Sequence, residues 1–195
     1  MNSEQTYERY LRLFNDLKGI ITKTQERLIQ EQPDPFFVDH TNFFIKSFLI
    51  SVCTYLEAFL KDMAIEHVNR INQKITVANI PHNIVVWAIN ASVKEQDLAY
   101  RQFNLPLSKK DIDDELSGNP FRTSKTFRYI GVDLESNDCF KKNKELVNTV
   151  IAKRNSIIHH NDDALDISLG DILSYIDTFI EYTKNIEQTV VNSAS

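Results

Sequence analysis

Ser47-Phe48-Leu49-Ile50-Ser51-Val52-Cys53-Thr54-Tyr55-Leu56-Glu57-Ala58-Phe59-Leu60-Lys61-Asp62 is the stretch on which the fold turns. Its large apolar residues, Phe48, Val52, Tyr55, Leu56, Phe59 and Leu60, recur at three and four, with Phe44 before them and Met63 after. That period is the buried stripe of a helix, and it predicts one long helix over residues 40–72. Phe43 belongs to the same run of rings, and these aromatics read as core rather than as a base-stacking platform. Glu57 and Lys61, four apart, read as an ordinary exposed helical pair.

Working outward toward the N-terminus, Tyr7, Tyr10, Leu11, Phe14, Leu17, Ile21 and Leu28 repeat the period over residues 3–31, and Pro33 and Pro35 stop it. The two long helices are expected to pair antiparallel. On the other side, Pro81 suits the first turn of a helix over 81–92 that carries Ile84, Val85, Trp87 and Ala88 into the core. Residues 93–138, broken by Pro106, Gly118, Pro120 and Gly131, predict short helices and loops laid on the bundle. A helix over 139–159 follows, with Leu146, Val147, Val150, Ile151, Ile157 and Ile158 apolar, and the chain breaks at Asn161-Asp162-Asp163. Ser168 and Asp171 resemble a capping box opening a last helix to about residue 190, with Ile172, Tyr175, Ile176, Phe179, Ile180 and Ile186 as its stripe. The expectation is an all-α fold, an antiparallel helical bundle of about five main helices with a loop-rich insertion, in a single domain over 1–195.

Composition agrees. Four Gly and five Pro in 195 residues are few for a fold built on tight turns. Cys53 and Cys139 have no spacing that suggests a disulfide framework or a zinc site, and they point to a reducing compartment. Residues 1–5 hold no apolar run, and no stretch reaches the roughly 18 uninterrupted apolar residues of a membrane span. A cytoplasmic protein with no membrane partner is expected. The net charge of −5 is unevenly divided, with −2 over residues 1–100, +3 over 101–154 and −6 over 155–195. The basic excess runs through Arg122, Lys125, Arg128, Lys141, Lys142, Lys144 and Lys153 up to Arg154, where phosphate would be attracted.

Lys153-Arg154-Asn155-Ser156-Ile157-Ile158-His159-His160-Asn161-Asp162 crowds polar groups onto the end of an apolar helix. For a structural role, Arg154 is a last-turn cation and His159, His160 and Asn161 supply the C-terminal cap. For a chemical role, an imidazole can move protons and a guanidinium can hold phosphate oxygens. Geometry constrains the second. Five residues separate Arg154 from His159, about 140° around a helix, whereas Asn155 and His159 share a face. Either the helix distorts before His159 or two copies of the helix meet across a symmetric dimer.

Arg154-Asn155 followed by three residues and His159 resembles the Arg-polar-x-x-x-His signature of HEPN domains. The stretch Ser47 to Asp62 looks like the long helix preceding that motif in the RiboL-PSP branch, and the helix after Asn161 fits as well. The resemblance covers most of the chain, with 93–138 as a branch-specific insertion. It implies a metal-independent, cofactor-free endoribonuclease acting as a homodimer, in a toxin-antitoxin or antiphage-defence setting, with an antitoxin or defence-system protein as partner. It assigns Arg154 to the phosphate, His159 to general acid or base work and Asn155 to the polar position. Lys153, His160 and Glu57 are supporting candidates, Glu57 by reaching over to orient His159. Some branches carry an acid where this chain has Thr149. The alternative is a HEPN module that does not cut and serves in dimerisation or RNA binding. His40, His67 and His82 have no ligand spacing and read as surface residues, and adjacent His159 and His160 diverge too far to make a metal site without a further element.

Overall fold

The computed structural model describes residues 3–90, 92, 94–160 and 162–193. Among these the chain forms eight helices and no strand: α1 (Ser3–Ile29), α2 (Pro35–Asp39), α3 (Thr41–Ala78), α4 (His82–Ile89), α5 (Lys109–Glu115), α6 (Pro120–Tyr129), α7 (Asp138–His160) and α8 (Leu169–Ser193). The all-α expectation holds.

Four helices, α1, α3, α7 and α8, make the bundle. As residue numbers rise in α1 they fall in α3, since Ser3 meets Arg70, Thr6 meets Glu66, and Arg9 and Tyr10 meet Asp62. The expected antiparallel pair is therefore present. α8 runs antiparallel to α7, with Phe140 stacked on Tyr182 at 5.2 Å and Asn137 donating to Thr189 at 3.0 Å. The stripes read from the sequence supply the core: Phe14, Ile21, Val52, Leu56, Phe59, Met63, Val147, Ile172, Ile176 and Phe179 are fully buried. Each such side chain contributes about 1.5–3 kcal/mol by leaving water. By length and composition α3 could cross a bilayer, its most apolar 18 residues having a mean hydropathy of 1.6. Here it is the central helix, packed against α1, α7 and α8.

Helix ends follow local chemistry. Ser168 and Asp171 form the reciprocal capping box that opens α8. Pro35 sits in the first turn of α2 behind Asp34, whose side chain accepts from Phe36, so the proline that ends α1's run also starts a short helix. α3 continues past residue 72 until Asn79 turns into the left-handed region at φ 49°.

Four expectations fail. No residue of α4 is buried, and Ile84 and Trp87 are 56% and 66% exposed. Asn79 ends α3, and beyond it Pro81 is bridged to Gln102 and the His82 amide donates to the Arg101 carbonyl. Phe43 is 65% exposed rather than core, because it falls off the stripe that carries Phe44 and Phe48. Leu146 and Ile158 of α7 also face outward. His67, read as a surface residue, is buried, its Nε2 3.0 Å from the Ile130 carbonyl and its Nδ1 without a partner among the described residues.

Burial, with Arg70 and Lys74 nearby, pushes the His67 imidazole below its ordinary value, against the Ile130 contact. Below about pH 6.5 the unfolded chain therefore takes a proton that the native protein resists. Stability should be full above that pH and fall as pH drops through the window beneath it, by at most about 1.4 kcal/mol per pH unit from this group. Thermal melts from pH 7.5 to 5.5 check it, and in His67→Gln this part of the slope should vanish.

Candidate functional site

α7 is continuous from Asp138 to His160, so the helix does not distort before His159. Arg154 consequently points inward and His159 outward. The Arg154 side chain is 16% exposed and lies against α3, where its Nη2 donates to Glu57 Oε2 at 2.8 Å and its Nη1 to Asn155 Oδ1 at 3.1 Å. Glu57 also takes Lys61 Nζ at 3.0 Å. Burial opposes the charge on Glu57, but the hydrogen bonds from Lys61 and Arg154 outweigh it and hold the carboxyl below its ordinary value. The Cys53 thiol, one turn before Glu57, is pushed up to about 12 by burial despite the nearby Arg154, so it stays protonated and inert. Among the described residues the buried Arg154 Nε has no hydrogen-bond partner.

Asn155, His159 and His160 are exposed. Asn155 and His159 lie about 40° apart on the outer face of α7, with the half-exposed Ile158 beside them. Lys153 pairs with Asp166, between α7 and α8, at 2.6 Å. The carboxylate that Thr149 cannot supply reaches the lysine from the following loop instead. That loop is tied to the start of α3, since Asn42 donates to Asp163 at 2.9 Å and accepts from the Ala164 amide at 3.1 Å. Asn161, expected to help cap the helix, lies outside the described residues.

The chain thus brings Arg154, Asn155 and Glu57 together and sets His159 apart. Glu57 does reach the motif, but its partner is Arg154 and not His159, because Arg154 is the motif residue on the α3-facing side of α7. Asp166 and Cys53 escaped the sequence reading, which has no period linking Lys153 to a residue outside α7. Among the described residues no group of three or more His, Cys, Asp or Glu stands close enough to hold a metal.

The Glu57 contact has a measurable weight. Glu57→Ala strands a guanidinium that is mostly covered, and should lower the unfolding free energy by about 2 kcal/mol, between the values for exposed and buried pairs. Urea melts with unchanged slope and a lower midpoint are the expected result.

Neither curated proteins nor solved structures include a match to this chain. A family model does match it. HEPN domains are often ribonucleases, and the family supports a HEPN-type ribonuclease or RNA-binding module. The model described as RiboL-PSP-HEPN covers residues 5–192, and the chain belongs to that family.

Proposed function

We propose that the protein is a metal-independent endoribonuclease of the HEPN type, active as a homodimer in which the Arg154 to His159 segments of two α7 helices face one another. The observation that carries this reading is the unbroken α7, which fixes Arg154 on Glu57 and Asn155 while leaving His159 exposed and without a hydrogen bond among the described residues. A second copy supplies what a single helix cannot, an imidazole and a guanidinium on one phosphate.

In the reaction, a base takes the proton of a ribose 2'-hydroxyl, the freed oxygen attacks the adjacent phosphorus, and the bond to the 5'-oxygen breaks as an acid returns a proton to it. The products are a 2',3'-cyclic phosphate and a 5'-hydroxyl. His159 serves as acid or base, and Arg154 holds the phosphate oxygens as charge builds on them. Asn155 orients the guanidinium, and Glu57 positions it from the next helix. The proposed setting is the cytoplasm, in a toxin or antiphage-defence role with a neutralising partner protein.

The test is incubation of purified protein with labelled single-stranded RNA and tRNA in EDTA, with the product ends mapped. Cleavage leaving cyclic phosphate supports the reading. A folded dimer that binds RNA and cuts none of it moves the conclusion to the non-cutting HEPN module.

A further inference from the structure

α6 sorts its residues by angle. Thr123, Ser124, Thr126 and Phe127 are buried against the bundle, while Phe121, Arg122, Lys125, Arg128 and Tyr129 are exposed. At about 100° per residue these five share an arc of about 120°, so three cations and two rings occupy one outward face. The helix Pro120–Tyr129 contains no acid. At its edge Glu135 is engaged by Lys144, and α5 adjoins the helix through the Asp114 and Glu115 carbonyls, so the positive charge of the face comes from its own three cations. Among the described residues Arg122 donates to the Asp114 carbonyl oxygen, at 3.1 Å, and Lys125 Nζ lies 5.7 Å from the centre of the Tyr129 ring. Tyr129 is 69% exposed and Phe121 46%, the latter with Lys144 Nζ 4.5 Å from its centre.

The start of this helix lies on α7 close to the motif. Asn119, its cap, donates to Asn148 at 3.0 Å, and Gly118 sits so close to Ile151 that an added Cβ would fall 2.6 Å from its Cδ1. Asn148 precedes Arg154 by six residues, roughly 9 Å along α7. The start of α6 therefore lies on the same helix as Arg154, about two turns before it.

We propose that this face of α6 is a second RNA contact, in which Arg122, Lys125 and Arg128 pair with phosphates and Phe121 and Tyr129 stack on bases of a single strand. Cations alone would also suit an acidic protein. The two exposed rings among them are what unpaired bases stack on, and this selects RNA. The inference rests on RNA being the ligand of the Arg154 and His159 site.

The test uses the full chain carrying His159→Ala to suppress cutting, with a labelled single-stranded oligonucleotide and anisotropy read over a salt series. The triple variant Arg122→Gln, Lys125→Gln, Arg128→Gln should bind about tenfold or more weakly, and its slope of log affinity against log salt should shrink by about 2, at roughly 0.7 per phosphate contact. Tyr129→Ala should weaken binding about tenfold with the slope unchanged. With His159 restored, the triple variant should cut a dinucleotide at the parent rate and show a raised KM for the long strand. Unaltered affinity and slope in a triple variant that melts like its parent overturn the α6 contact while leaving the ribonuclease reading intact. Polyglutamate displacing RNA as well as RNA itself overturns it in favour of an acidic protein. RNA bound by neither form sinks both readings.

Discussion

Alanine at Arg154 or at His159 is expected to slow RNA cleavage by about a thousandfold, with the fold and dimer retained. The two losses have different origins. His159 is exposed on the last turn of α7, and nothing among the described residues is hydrogen-bonded to its ring. Truncating it removes the proposed proton carrier and disturbs no packing, so the melting temperature should not move. Arg154 is mostly covered and bonded to Glu57 and Asn155. On the proposed mechanism its removal takes away the cation that meets the phosphate as negative charge builds, while Glu57 keeps Lys61 as a partner. The protein therefore stays folded with a small loss of stability. Arg154→Lys separates charge from geometry, because an ammonium cannot reproduce the planar fork that reaches both Glu57 and Asn155, and it should recover only a minor part of the rate. Single-turnover cleavage in EDTA, beside circular dichroism and sedimentation of each variant, makes the measurement. Parent-like rates in both alanine variants would mean that the cutting activity belongs to another site or another protein.

What the sequence conveyed best was what depends on period. The stripes of α1, α3, α7 and α8 repeat for several turns, long enough for the apolar face to outweigh local exceptions, and those helices hold the core. The Ser168 and Asp171 box is a two-residue rule and held as well. Short segments were harder. α4 has an apolar run, but eight residues cannot establish a face, and the left-handed Asn79 before it has no signature distinct from any other asparagine. His67 is buried because Ile130, 63 residues away, offers a carbonyl, and no local pattern announces such a partner. The same division runs through the candidate site. That Arg154 and His159 diverge follows from counting residues on a helix. That Arg154 is held by Glu57 needs the register of α3 against α7, which follows from packing over the whole bundle.

The divergence of Arg154 and His159 leads to a second strong prediction. If one phosphate is held by the Arg154 of one copy and served by the His159 of the other, then the two inactive variants should complement each other. Mixed Arg154→Ala and His159→Ala chains, dissociated and reassociated, yield about half their dimers as hybrids by random assortment. A hybrid keeps one whole pair, the His159 of the first chain with the Arg154 of the second, and one pair with both members missing. Activity should rise from near nothing to about a quarter of the parent value, since half the dimers regain one site of two. If each chain instead built its own site, every hybrid site would lack one member and no recovery would occur. The straight α7, with Arg154 turned onto α3 and His159 about 140° away from it, argues for the first result. Chains carrying distinct mass tags allow hybrids to be counted by native mass spectrometry, so that missing recovery with hybrids present would rule out the shared site while leaving the family membership and the fold untouched.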